Sequence, residues 1–283
     1  MIARVPTCLP RLTRALSALA LLLAALAGPT HAQSTCSAVA QTGAERLWQA
    51  QLVDPFAPIA PGKVRLYYTG HGSVAIHSSD RVMAVTDYTG IGFGEVWLPD
   101  VVTMNDTMRL QSTDSPHPRI PHVLKGWPDA EGRPADHHLD LGSLMVRNVT
   151  TDTRGTAGQG MRPDGNSIFI FEVEGLCIGH LGALQGMPDD SAFAAIGRLD
   201  VVMVAVEGPN RPSRAEMLAI LDRLQARVVI PVHWLSLEPL MQFLQEMEGP
   251  FQIVQTFEPQ LDLSLGTLPA SPTVIVLFPQ LHP

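Results

Sequence analysis

Basic residues are scarce in this chain of 283 residues: 19 lysines and arginines face 27 aspartates and glutamates, for a formal charge of −8. That balance gives no electrostatic case for binding nucleic acid or an anionic membrane surface. Cysteine is nearly missing, with only Cys8, Cys36 and Cys177. There is no Cys-x-x-Cys pair, no Gly-x-Ser-x-Gly elbow and no phosphate-binding glycine loop. Those absences argue against a thiol redox protein, a serine hydrolase and a nucleotide enzyme. No apolar run reaches the roughly 20 residues that a membrane-spanning helix needs.

What is present begins with Arg4, Arg11 and Arg14, followed by a short apolar run from Ala15 to Ala27. Gly28-Pro29 breaks that run, and Thr30-His31-Ala32 offers a cleavage site. This is the layout of a secretory signal peptide, so residues 1–32 are expected to be a signal segment. Residues 33–283 are then expected to form one domain in the periplasm or outside the cell. Loss of the segment takes three arginines and no acid, leaving the remainder still more acidic. Cys8 leaves with it. Cys177, in an apolar strand, is expected to pack as a small hydrophobe; a Cys36–Cys177 disulfide is the alternative in an oxidising compartment. The expected partners are a small-molecule substrate or ligand, or another protein, with no nucleic acid and no membrane span.

From Val64 the chain reads as short strands: Val64–Tyr68, Ser73–His77, Val82–Thr86 and Val101–Thr103. The Pro- and His-rich stretch from Ser115 to His138 is expected to be an elaborated loop with a short helix. Strands resume at Leu144–Val149, Ser167–Glu172 and Leu176–Gly179, the last two joined by a turn at Glu174-Gly175. Val201–Val206 is a continuous apolar run of the kind buried on both faces. Ser213 and Glu216 make a capping-box pattern, and Met217, Ile220, Leu221 and Leu224 follow at helical spacing. "VVIPVHW", a helix over Pro239–Glu248 and a strand at Thr273–Leu277 complete the pattern. Two β-rich blocks with helices, the second more α/β in character, predict a layered α/β sandwich.

Three histidines stand where an apolar strand gives way to a loop: His71, His180 and His233. Such positions are held by a rigid sheet yet reach into a cleft. The residues around them are similar to a known family. "YYTGHGSVAIHSSDRVMAVTD", with its Gly70-His71 and Thr86-Asp87 pairs, resembles the opening of the metallo-β-lactamase superfamily, in its ascorbate-phosphate-lactonase-like branch. "DVVTMNDT" resembles the strand leading to that family's metal loop. "NSIFIFEVEGLCIGHLG" and "VVIPVHW" resemble the segments ending in its bridging acid and its last metal histidine. The resemblance runs from about Val64 to Trp234.

That resemblance implies an αββα four-layer sandwich, with metal ligands on loops along one edge of two sheets. It also implies a His-x-His-x-Asp-His motif on or near Asp106 to Gln111. That motif is missing, because no histidine lies between His77 and His117, and Met108, Leu110 and Gln111 are poor zinc ligands. His180 stands where the family has its bridging acid, His233 matches the terminal histidine, and Asp152 falls near the middle one. His180, His233 and Asp152 are therefore the expected metal ligands, holding a single zinc ion with an open fourth position. His71 is expected behind them, Asp87 equally either at the site or as a cap on the loop "YTGIGFG", and Asp106, Asp114, His117 and His122 are further donors a loop could bring in. Asp114 and His117 read rather as a turn residue and a solvated side chain than as ligands. The function expected is that of a secreted metallo-hydrolase acting on an ester, lactone or phosphoester. The alternative is a catalytically degenerate member that binds a ligand or a protein.

Overall fold

Side-chain alternation decides the architecture. In Ser167-Ile168-Phe169-Ile170-Phe171 successive residues point to opposite faces of a strand, and all five are buried. Phe169 and Phe171 join one apolar core, while Ile168 and Ile170 join another. A strand of this kind is covered on both sides.

The computed structural model describes Cys36 and residues 57–90, 98–105, 113, 115–154, 160–208 and 210–279. All of these lie in one unit, Thr35–Pro283. The expected signal segment, 1–32, lies outside the described residues. So do Asp106, Asp114 and the rest of the expected metal loop through Gln111.

The first sheet contains β1 (Val64–Gly70), β2 (Ser73–His77), β3 (Met83–Val85), β4 (Val101–Met104) and β5 (His122–Lys125). Strand β13 (Gln260–Leu263) closes its other edge, giving the order β13-β1-β2-β3-β4-β5. The second sheet contains β6 (His138–Asp140), β7 (Leu144–Arg154), β8 (Met161–Val173), β9 (Leu176–His180), β10 (Val201–Ala205) and β11 (Val228–Val232). It is completed by β14 (Thr273–Val276) and β12 (Gln252–Gln255), in the order β12-β14-β11-β10-β9-β8-β7-β6. The helices are α1 (Asp190–Ile196), α2 (Arg214–Arg223) and α3 (Leu237–Met247).

The central core lies between the sheets. Leu66, Tyr68 and Ile76 of the first meet Phe169, Phe171, Met203 and Ile230 of the second. On the far side of the second sheet, Val202, Val204 and Val229 pack with Phe193, Ile220 and Phe243 of the three helices. The capping box read from Ser213 and Glu216 opens α2, with the serine hydroxyl accepting from the Glu216 amide. The outer face of the first sheet carries a smaller cluster, including Tyr67, Val85, Val102 and Ile120. The α/β sandwich is thus the observed fold.

Some elements depart from the expected pattern. Among the described residues, 115–138 contain no helix; they supply β5 and lead into β6. Strand β5 runs parallel to β4 at the edge of its sheet, and only Leu124 of its four residues is buried. With so little burial, no period-two signal stands out.

Cys36 and Cys177 form a disulfide, with Cα atoms 5.7 Å apart and 141 residues of separation. Closing so long a loop restricts the unfolded chain, and loss of such a bond costs about 2–5 kcal/mol. Cys177→Ala, or reduction of the unaltered protein, should therefore lower the urea midpoint. Identical midpoints with and without reductant would show that the bridge adds nothing to stability.

Candidate functional site

Strands β9, β10 and β11 run parallel, as do β3 and β4 in the facing sheet. Residues leaving their ends gather at one edge. His180 ends β9, Glu207 follows β10, His233 follows β11, Asp87 follows β3 and Asn105 follows β4. The turn between β1 and β2 adds His71 and Gly72. Gly72, Asp87, His180, Glu207 and His233 line a common cleft whose apolar wall includes Leu184, Val204 and Met217.

Three of these positions hold backbone that L-residues rarely adopt: φ is 51° at His71, 36° at Asp87 and 59° at His233. Such conformations cost of order 1–3 kcal/mol each and persist where the surroundings over-determine them. Here the His233 amide donates to the His71 carbonyl at 2.5 Å. The Tyr68 hydroxyl donates to the same oxygen at 2.8 Å. The two histidine turns hold one another.

The side chain of His180 is fully occupied. Its Nε2 lies 3.1 Å from the Gly72 carbonyl oxygen, which can only accept, so Nε2 carries the proton. The lone pair is then on Nδ1, which accepts from the Gly182 amide at 3.2 Å. Oδ2 of Asp87 is 3.9 Å from that nitrogen.

His233 is different. Its Nδ1 donates to the Glu207 carbonyl at 3.1 Å, which leaves the lone pair on Nε2. That atom is buried and has no hydrogen-bond partner among the described residues. Burial lowers the pKa of His233 from 6.5, against the opposing pull of Asp87 and Glu207.

Asp87 is steadied by Asn105, whose amide nitrogen donates to Oδ1 at 3.1 Å. The same Asn105 amide exchanges two bonds with the Ser167 backbone across the sheets: Nδ2 donates to the carbonyl at 3.2 Å, and Oδ1 accepts from the amide at 2.9 Å. Asn166 accepts from the Ala183 amide at 2.8 Å and donates to the Leu181 carbonyl at 3.2 Å. Gly182 fits between them only as glycine, with φ of 59° and an added Cβ 2.3 Å from Asn166 Oδ1. Asn105, Asn166 and Glu207 carry no ligand motif, so nothing in the sequence singles them out; their roles arise from partners far along the chain.

The expected donors do not all come together. Asp152 is exposed on β7, accepts from the Asp164 amide at 3.1 Å and lines a separate cleft with Asp164 and Asp189. His117 accepts from the Arg119 amide at 3.2 Å in a local turn, and His122 sits on β5. Neither lines the His180–His233 cleft. A single zinc needs about three donor atoms with free lone pairs. The cleft is lined by His233, whose Nε2 keeps its lone pair, and by the Asp87 and Glu207 carboxylates, each with one oxygen already hydrogen-bonded, while the His180 lone pair is spent on an amide. Among the described residues no three His, Cys, Asp or Glu are grouped so as to hold a metal. The described donors do not fit the zinc site implied by the resemblance.

Two facing mixed sheets with a polar cleft at their strand exits define the metallo-β-lactamase type of α/β sandwich. The chain belongs to the beta-lactamase superfamily domain family, whose model matches residues 65–233. Its fold is similar to that of a protein described as a Zn-dependent hydrolase of the metallo-β-lactamase superfamily from Thermotoga maritima. That pair shares 22% identity over 77% of this chain and 100% of the other, with a TM-score of 0.52. A metallo-hydrolase from the archaeon Ignicoccus hospitalis is similar too, at 14% identity over 71% of this chain and 99% of the other, with a TM-score of 0.50. At these identities the likeness is one of fold. No curated protein sequence matches the chain.

Two outcomes follow from the buried polar groups. Asn105→Ala leaves the Ser167 amide and carbonyl without their side-chain partner and should cost about 1–3 kcal/mol in denaturant unfolding. A cost near zero would remove Asn105 from its bridging role. The second outcome concerns pH. Burial lowers the pKa of His77, at the end of β2, to about 4, and His233 moves in the same direction. Unfolded imidazole takes up a proton near 6.5 that the folded groups refuse, so stability is full above that pH and falls as the pH drops toward about 4. His77→Gln should flatten the fall in this window of a stability-versus-pH curve, and an unaltered slope would exclude His77 as its source.

Proposed function

We propose that this chain is an exported member of the metallo-β-lactamase fold whose cleft binds a small molecule without the family's metal. The observation that carries this is His180, whose two ring nitrogens are both committed to backbone groups. A ligand histidine must present a lone pair, and this one has none left. The missing His-x-His-x-Asp-His motif points the same way. The export part of the proposal draws on the signal-like segment at 1–32 and on the Cys36–Cys177 disulfide, a bond suited to an oxidising compartment.

A second reading, a single-zinc hydrolase of an ester, lactone or phosphoester, is favoured by one observation. His233 Nε2 is a buried lone pair without a partner among the described residues, and His233 lines the same cleft as Asp87. It requires donors beyond those the described residues supply.

Zinc content separates the two. Protein purified without chelators, re-exposed to zinc and desalted should hold well under one ion per chain by elemental mass spectrometry, and His180→Ala should not change that value. Close to one ion per chain, lost in His233→Ala, would restore the zinc hydrolase and justify an ester and lactone screen.

A further inference from the structure

An open sheet ends in edge strands, whose outward N–H and C=O groups can pair with another strand. The two sheets here have four edges, β13 and β5 in the first and β12 and β6 in the second. Three of them carry ionisable side chains. Asp262 of β13 is ion-paired with Arg65, β5 ends in the exposed Lys125, and β6 contains His138 and Asp140. Charge on an edge is a common guard against association of one sheet with another. Strand β12, Gln252-Ile253-Val254-Gln255, has none, and neither has any residue from Gly249 to Phe257.

Among the described residues only β14 pairs with β12, and it does so in parallel. The amides of Gln252 and Thr256 donate to the Pro272 and Val276 carbonyls on the β14 side. Backbone groups alternate in direction along a strand, so the N–H and C=O of Ile253 and Gln255 point away from β14. The margin of this edge is apolar. Phe257, just past β12, is 72% exposed and stacks on Phe278 at 5.1 Å. Leu237 and Met241, 59% and 55% exposed, lie one turn apart on α3. At 3.6 residues per turn their flank is opposite that of Glu246, which pairs with Arg211 just before α2. In the order β12-β14-β11-β10, α2 joins β10 to β11, so the flank of α3 away from α2 is the one toward β12.

We propose that β12 is a dimer edge, through which two copies of this chain pair antiparallel about a two-fold axis at Val254. In that register Ile253 of each copy exchanges two hydrogen bonds with Gln255 of the other, and every outward N–H and C=O of the strand finds a partner. The same patch serves both copies, as a closed two-fold contact requires. Stable interfaces remove about 1,200–2,000 Å² from water, more than a four-residue strand pair supplies, and the exposed Leu237, Met241 and Phe257 extend the contact. The charge of −8 makes two copies repel over most approaches, and a run without charge is where they can meet. A foreign partner of opposite charge has nothing on this edge to attract it.

The test is sedimentation of the full chain over a concentration series, with amide hydrogen exchange read residue by residue on the same samples. A reversible dimer is expected, in which the Ile253 and Gln255 amides exchange about tenfold or more slowly than in the monomer. The Gln252 and Thr256 amides, already bonded on the β14 side, should not change. Gln255→Lys sets a charge on the exposed edge and should raise the dissociation constant about tenfold or more. Phe257→Asn removes the ring and suits the left-handed backbone there, with φ of 57°, and should also weaken the dimer. Both side chains are exposed, so the urea midpoint of the monomer should hold in each variant. A chain that stays monomeric to about 100 μM, a Kd too weak for a stable dimer, overturns the proposal. So does a dimer whose Ile253 and Gln255 amides exchange as fast as in the monomer, or one that either variant leaves at full strength. Protection of those two amides in a monomer, by another segment of the chain or a bound peptide, overturns it as well.

Discussion

The cleft exists because Asn105 ties the two sheets together at the edge where their parallel strands end. One buried side-chain amide satisfies the backbone N–H and C=O of Ser167 in the opposite sheet and also steadies the Asp87 carboxylate. Each such bond nets only about 0.5–1.5 kcal/mol, but a buried group left without one loses more than that. The strained turns at His71 and His233 lean on the same edge, since the amide of one donates to the carbonyl of the other. Apolar burial brings the sheets face to face, and these few polar contacts set their register where function would reside.

The remaining buried charges reinforce the opposite parts of the frame. Arg147 on β7 pairs with Glu172 on β8 and donates to the Ala195 and Ile196 carbonyls at the end of α1, a favourable place for a cation. Asp200 accepts from the amide of Cys177, the disulfide residue, and pairs with Arg198. Burial raises the pKa of Asp200, with the Cys177 amide and Arg198 opposing. In the first sheet Arg65 pairs through two bonds with Asp262 on the edge strand β13. Pairs like these add little net stability, yet losing one partner leaves an uncompensated charge. They fix which strand sits beside which.

Much of the fold was legible in the sequence. Val201–Val206 reads as a strand buried on both faces, and Val201 and Met203 do join one core while Val202 and Val204 join the other. Alternation survives because it is a local property of the chain. The edge strands β5 and β12 were not legible, since each has four residues and little burial, and their pairing energy comes from the neighbouring strand. The histidines at strand exits stood out for the same reason as the core strands: each follows an apolar run directly. Asn105 and Asn166 did not, because nothing beside them in the chain states what their amides will touch.

The sequence by itself determined the layered sandwich, the family and the loss of the histidine-rich metal loop, all of which are written in contiguous residues. Only the tertiary structure decided what the surviving histidines can do. The partner of His180 Nε2 lies 108 residues away at Gly72, and that of His233 Nδ1 lies 26 residues away at Glu207. One ring is closed by its hydrogen bonds and the other keeps a lone pair. Asp152 went to another cleft because β7 carries it out beside Asp164. Availability of a lone pair depends on which backbone groups the fold brings to it, and residue type alone does not encode that.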